Sequence, residues 1–102
     1  MIRIPTHRSP THPGEMLQEE FLMPLGFSPR EVAEAISISE QEIDALIAGH
    51  AAMTPRLALR LAKVFSVSPD FWMNLQLRWD LFHVQQTEFN DLAGIKPLVL
   101  AT

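Results

Sequence analysis

The chain has 102 residues, 47% of them apolar, a formal net charge of −4 and no cysteine. That length suffices for one small core and not for two, while disulfides and thiolate metal sites are excluded and a reducing, cytoplasmic setting fits. No run approaches the roughly 20 apolar residues of a membrane span, and the opening "MIRIPTHRSPTH" has no apolar stretch of signal-peptide length, so a soluble protein without membrane association is expected.

Residues 1–12 hold Arg3, Arg8, His7 and His12 without an acid and read as a flexible basic arm. Four dipeptides then punctuate the chain: His12-Pro13, Ser28-Pro29, Thr54-Pro55 and Ser68-Pro69. Proline suits the first helical position, and the Ser or Thr before it accepts from a free N–H of the first turn. Ser28 and Ser39 are each followed three residues later by a glutamate, Glu31 and Glu42, which predicts two capping boxes. Apolar residues before the caps predict staples of Phe27 on Val32, Ile38 on Ile43, Met53 on Ala58 and Val67 on Trp72. Helices are thus expected at about 13–24, 29–36, 40–48, 55–65 and 69–86.

Helical periodicity selects the core: Leu17, Phe21 and Leu25 from the first helix, Val32, Ala33 and Ile36 from the second, Ile43, Leu46 and Ile47 from the third. The fourth contributes Leu57, Ala58, Leu61, Ala62 and Phe65. The expected fold is an all-α, five-helix bundle over residues 13–88 with a short tail over 89–102. Two readings stay open for the tail "AGIKPLVLAT": an edge strand paired with a partner, or no regular structure.

The second and third helices are linked only by "SIS", which brings them together steeply as a helix-turn-helix, with Ala33 allowing close approach and Ile38 plugging the turn. The run "VAEAISISEQEIDALIAG" resembles the helix-turn-helix of the XRE/Cro family. Its frame, "HPGEMLQEEFLMPLGFS" before and "MTPRLALRLAKVFSVSPDFWMNLQLRWDL" after, is similar to HigA-type antitoxins of toxin–antitoxin systems. The resemblance implies a lambda-repressor-like bundle and a homodimeric transcriptional autorepressor. Such a protein binds operator DNA at an inverted repeat and neutralises a RelE-like endoribonuclease toxin by direct binding. Members usually have glycine at the position of Ser37, so this serine must adopt a left-handed conformation or shift the turn.

In that geometry the third helix meets the major groove with its N-terminal end and outer face. Ser39, Glu40, Gln41, Asp44 and Ala45 are then the candidates to face DNA; Gln41 suits adenine, and an acid can accept from cytosine N4. Glu42 is assigned to the capping box. Phosphates are expected at Arg30, His50, Thr54 and Arg56, a sparse set that predicts specific but strongly salt-sensitive binding. Because Glu40, Glu42 and Asp44 are acidic, a toxin-neutralising interaction module without operator binding is the rival reading; an XRE-type regulator without a toxin is another.

The fifth helix, "FWMNLQLRWDLFHV", is apolar nearly all round. Phe71, Trp72 and Leu75 are expected in the core, and Leu77, Trp79, Leu81, Phe82 and Val84 at a homodimer interface. His7, His12, His50 and His83 lack metal-ligand spacing and there is no glycine-rich phosphate loop, so neither an enzyme nor a cofactor or metal is expected.

Overall fold

The computed structural model describes residues 9–99, and all regular structure among them is helical. The fold class is the expected one. Arg3, Arg8 and the rest of residues 1–8 lie outside the described residues, as do 100–102.

Helix α1 begins as an α-helix at Pro13–Met16, widens to a π-helix over Leu17–Leu22 and closes as an α-helix at Met23–Leu25. Its cap is His12, whose Nδ1 accepts from the Gly14 N–H at 2.9 Å. His12 is buried, so it belongs to the folded domain and not to the arm that residues 1–12 were expected to form. The widened turns precede Pro24, which has no N–H and whose ring would crowd the carbonyl four residues back; Met23 N–H donates instead to the Gln18 carbonyl. This changes the phase of the helix. Leu17 and Leu22, five apart, share the inward face and are fully buried, whereas Phe21 is half-buried and Leu25 is 56% exposed. The expected Leu17, Phe21 and Leu25 stripe is corrected accordingly.

Helix α2 (Pro29–Ile36) opens with the complete capping box: Ser28 Oγ accepts from the Glu31 N–H at 3.1 Å, and Glu31 Oε1 from the Ser28 N–H at 2.9 Å. It ends at Ser37, which takes the left-handed conformation (φ 57°, ψ 45°) while the Ile38 N–H returns to the Ala33 carbonyl at 3.0 Å. The serine therefore accepts the strain and the turn does not shift. Ser66 repeats the arrangement at the end of α4 with φ 56°.

Helix α3 (Glu40–Ile47), capped by Ser39, buries Ile43 and Leu46 and half-buries Ile47. Helix α4 (Pro55–Phe65), capped by Thr54, buries Leu57, Ala58, Leu61 and Ala62. Helix α5 (Pro69–Thr87), capped by Ser68, delivers Trp72 into the core with no exposed surface, its ring 5.0 Å from that of Phe21. Phe71, expected in the core, lies at its edge with 36% of its surface exposed. A sixth helix, α6 (Phe89–Ala93), occupies part of the expected tail; residues 95–99 beyond it form no strand.

Two features lock α3 in place. At Gly14 there is no room for a Cβ: it would collide with the Leu46 carbonyl oxygen and lie 2.9 Å from the Ile47 Cα. The glycine of "HPGE" is thus the point where the α1 backbone rests on the α3 backbone. Gln76 of α5 is buried, its Oε1 accepting from the Met53 N–H at 2.7 Å and its Nε2 donating to Asp80 at 2.8 Å. It fastens the loop between α3 and α4 to α5 and satisfies a backbone donor that burial would otherwise leave unpaired.

Candidate nucleic-acid interface

Because Ile43 and Leu46 are inaccessible, the opposite face of α3 is displayed. Glu40, Gln41 and Asp44 are exposed and Ala45 is half-buried. Ser39 is exposed, with its hydroxyl committed to the Glu42 N–H at 3.2 Å; Thr54 is likewise exposed and accepts from the Leu57 N–H at 3.3 Å. Gln41, Ala45, Thr54 and Arg56 meet on one shallow groove between α3 and the start of α4, whose lining also includes Glu42, Ala51, Ala52 and Leu57. Arg30, Ser39, Glu40, Asp44 and His50 do not line it; His50 is exposed beyond the end of α3, where its N–H donates to the Ala45 carbonyl at 2.9 Å.

Arg30, Arg56 and Arg60 are each engaged. Arg30 Nε donates to Glu34 Oε1 at 3.2 Å, an exposed pair one helical turn apart. Arg56 Nη1 donates to Glu42 Oε2 at 3.1 Å. The capping box expected at Ser39 is therefore only half formed: the serine caps the Glu42 N–H, but the glutamate turns outward to Arg56. Arg60 Nη1 donates to the Ile36 carbonyl at 2.7 Å and closes the C-terminal end of α2, a role the sequence does not advertise because the partners lie 24 residues apart. Exposed pairs such as Arg30–Glu34 and Arg56–Glu42 contribute at most about 1 kcal/mol, so a phosphate can compete for either arginine.

The second candidate surface lies along α5. Leu77, Leu81 and Val84 are exposed and, four and three residues apart, form one stripe. Trp79 is half-buried: its ring packs edge-on against His12 at 4.8 Å and tilted against His83 at 4.3 Å. Phe82 is 7% exposed, so it is spent on the monomer's own interior and is corrected out of the expected interface. Beyond it, Phe89, Leu92 and Ile95 extend the exposed apolar surface, unannounced because α6 was not anticipated.

The Helix-turn-helix family matches residues 18–72, more than half of the chain. The chain belongs to this family. An uncharacterized HTH-type transcriptional regulator of Haemophilus influenzae is 39% identical over 93 residues, 88% of this chain and 86% of that one. Antitoxin HigA-1 of Vibrio cholerae is 33% identical over 96 residues, 94% of this chain and 90% of its own. Among solved structures, PA4674 of Pseudomonas aeruginosa in complex with its operator DNA aligns with a TM-score of 0.85 at 33% identity, covering 89% of this chain and 97% of that one. The Pseudomonas aeruginosa antitoxin HigA with the higBA promoter aligns at 0.83 and 33%, covering 88% and 99%. This helix-turn-helix chain is therefore a relative of HigA antitoxins across nearly its whole described length. Its α3, with Glu40, Glu42 and Asp44 and no Lys or Arg, sets the electrostatic problem that any polyanion partner must solve.

Proposed function

We propose that the protein is a cytoplasmic antitoxin and transcriptional autorepressor of a toxin–antitoxin operon. It binds operator DNA through α3 and neutralises a RelE-like endoribonuclease toxin by direct contact. The observation that carries the reading is Gln41, displayed on the outer face of α3 and sharing a groove with Thr54 and Arg56. A bidentate amide for a base edge thus sits beside a cation and a helix N-terminus for the backbone, the division of labour that base readout requires. Solved relatives that carry operator or promoter DNA support it. A homodimer formed through Leu77, Leu81 and Val84 supplies the second copy for an inverted repeat, with half-sites about one helical turn apart.

Titration of the upstream intergenic DNA at low and moderate salt tests the operator half, with binding that weakens steeply as salt rises. No retardation at low salt ends it. The acids of α3 and the pairing of Arg30 and Arg56 favour the rival reading, a toxin-neutralising module without operator binding, in that event. Co-expression with the product of the adjacent reading frame tests the toxin half: growth arrest relieved by this chain, and a complex that co-purifies, are expected. Failure of rescue and co-purification, with operator binding retained, leaves a transcription regulator without a toxin.

A further inference from the structure

Two serine caps of the same local sequence type behave differently, and the difference lies on the DNA-facing side. At Ser28 the glutamate three residues on folds back to the cap; at Ser39 Glu42 leaves the cap and takes Arg56, fourteen residues away in sequence. The Arg56 and Glu42 side chains are 55% and 45% exposed, and both line the groove that holds Gln41, Ala45 and Thr54. The pair thus sits where a duplex would lie against α3 and the start of α4.

A phosphate that takes the Nη1 donor of Arg56 displaces Glu42. The freed carboxylate then faces DNA, where phosphates repel it and guanine and thymine present only acceptors in the major groove, while cytosine N4 and adenine N6 present amine donors. We infer that Glu42 is a specificity-determining residue. On operator binding the Glu42–Arg56 ion pair is exchanged for Arg56 to phosphate and Glu42 to a cytosine or adenine amine. DNA with guanine or thymine at that place leaves the carboxylate unpaired and keeps Arg56 on the protein. The inference rests on the operator-binding reading and explains how an acidic recognition helix can serve it: non-specific DNA is rejected by the same group that accepts the operator.

The test uses the full chain and its Glu42→Gln, Arg56→Ala and doubly substituted forms. Affinity is measured by fluorescence anisotropy for the upstream DNA and for a scrambled duplex of equal length, at 50 and 200 mM salt. Glu42→Gln is expected to bind scrambled DNA more tightly. Its salt slope on the scrambled duplex should steepen by about 0.9, the contribution of one additional phosphate, which is roughly a three- to fourfold greater loss of affinity across that salt range. The preference for the upstream DNA over the scrambled duplex should fall roughly tenfold, the scale of one lost base contact. In the double variant the steeper slope disappears, because Arg56 is the cation released. A wild-type preference for the upstream DNA that Glu42→Gln leaves unchanged, with an unchanged slope, overturns the exchange while sparing the operator reading. If wild type itself shows no preference, both fail together. A purely structural pair would lower the melting temperature of Glu42→Gln and move neither slope nor preference.

Discussion

Trp72 and Val84 stand on the same helix, yet Trp72 is inaccessible and Val84 is 55% exposed. The first half of α5 closes the bundle over Phe21 and, through Gln76, over the Met53 loop, whereas the second half runs past it with Leu77, Leu81 and Val84 outward. The described chain measures 50 by 24 by 22 Å. One apolar helix therefore meets two environments, the core at Trp72 and solvent at Leu77, Leu81 and Val84. Substitutions in the two environments should act on different observables.

The largest effect is expected at Trp72→Ala, which removes a fully buried ring and should cost about 3–5 kcal/mol in urea unfolding. Gly14→Ala comes next, at about 3 kcal/mol, because the new methyl meets backbone of α3 that cannot rotate away; Gly14→Ala that unfolds like the parent would mean the two helices are not in backbone contact. On the solvent side, Leu81→Glu combined with Val84→Glu should change the stability of the monomer by less than about 1 kcal/mol while converting a dimer to a monomer in sedimentation. A parent already monomeric ends the interface. Trp79→Glu would blur that comparison, since Trp79 also covers the buried His12. Ser37→Gly should raise stability by about 1 kcal/mol by removing the cost of a left-handed serine.

The smallest effect concerns His12. Burial lowers its pKa below the ordinary histidine value of 6.5, outweighing Glu15 and Asp80, which pull the other way. The unfolded chain then binds the proton more readily than the folded one. Stability should rise with pH through the window just below 6.5 and be lost as pH falls through it. His12→Asn keeps a capping side chain and should flatten that slope, as thermal melts between pH 5 and pH 7 would show, values chosen to bracket the ordinary histidine range of about 6.5.

Helix starts were legible because a cap is a local event. Ser28, Ser39, Thr54 and Ser68 each accept from an amide within three residues, and the sequence places them unaided. The outward display of Gln41 was equally legible, since the apolar spacing of Ile43 and Leu46 leaves it no other side. The phase of α1 was not, because a π-helical stretch ahead of Pro24 defeats a periodicity that assumes α-helical turns. Nor was Glu42: capping spacing explained it fully, and nothing local signals a partner fourteen residues on. The burial of Phe82 is not legible for a similar reason, because hydrophobicity does not say which apolar residues of an all-round apolar helix the remainder of the chain will cover.

The amino-acid order alone determined that this protein is helical, where its helices start and which side of α3 is turned outward, because each follows from hydrogen bonds and apolar spacing within a turn or two. Tertiary packing decided that Gly14 must be glycine, that Arg56 is held by Glu42 and that α5 changes from core to surface along its length. Those outcomes depend on distances between segments remote in sequence, which are set only when the helices have docked.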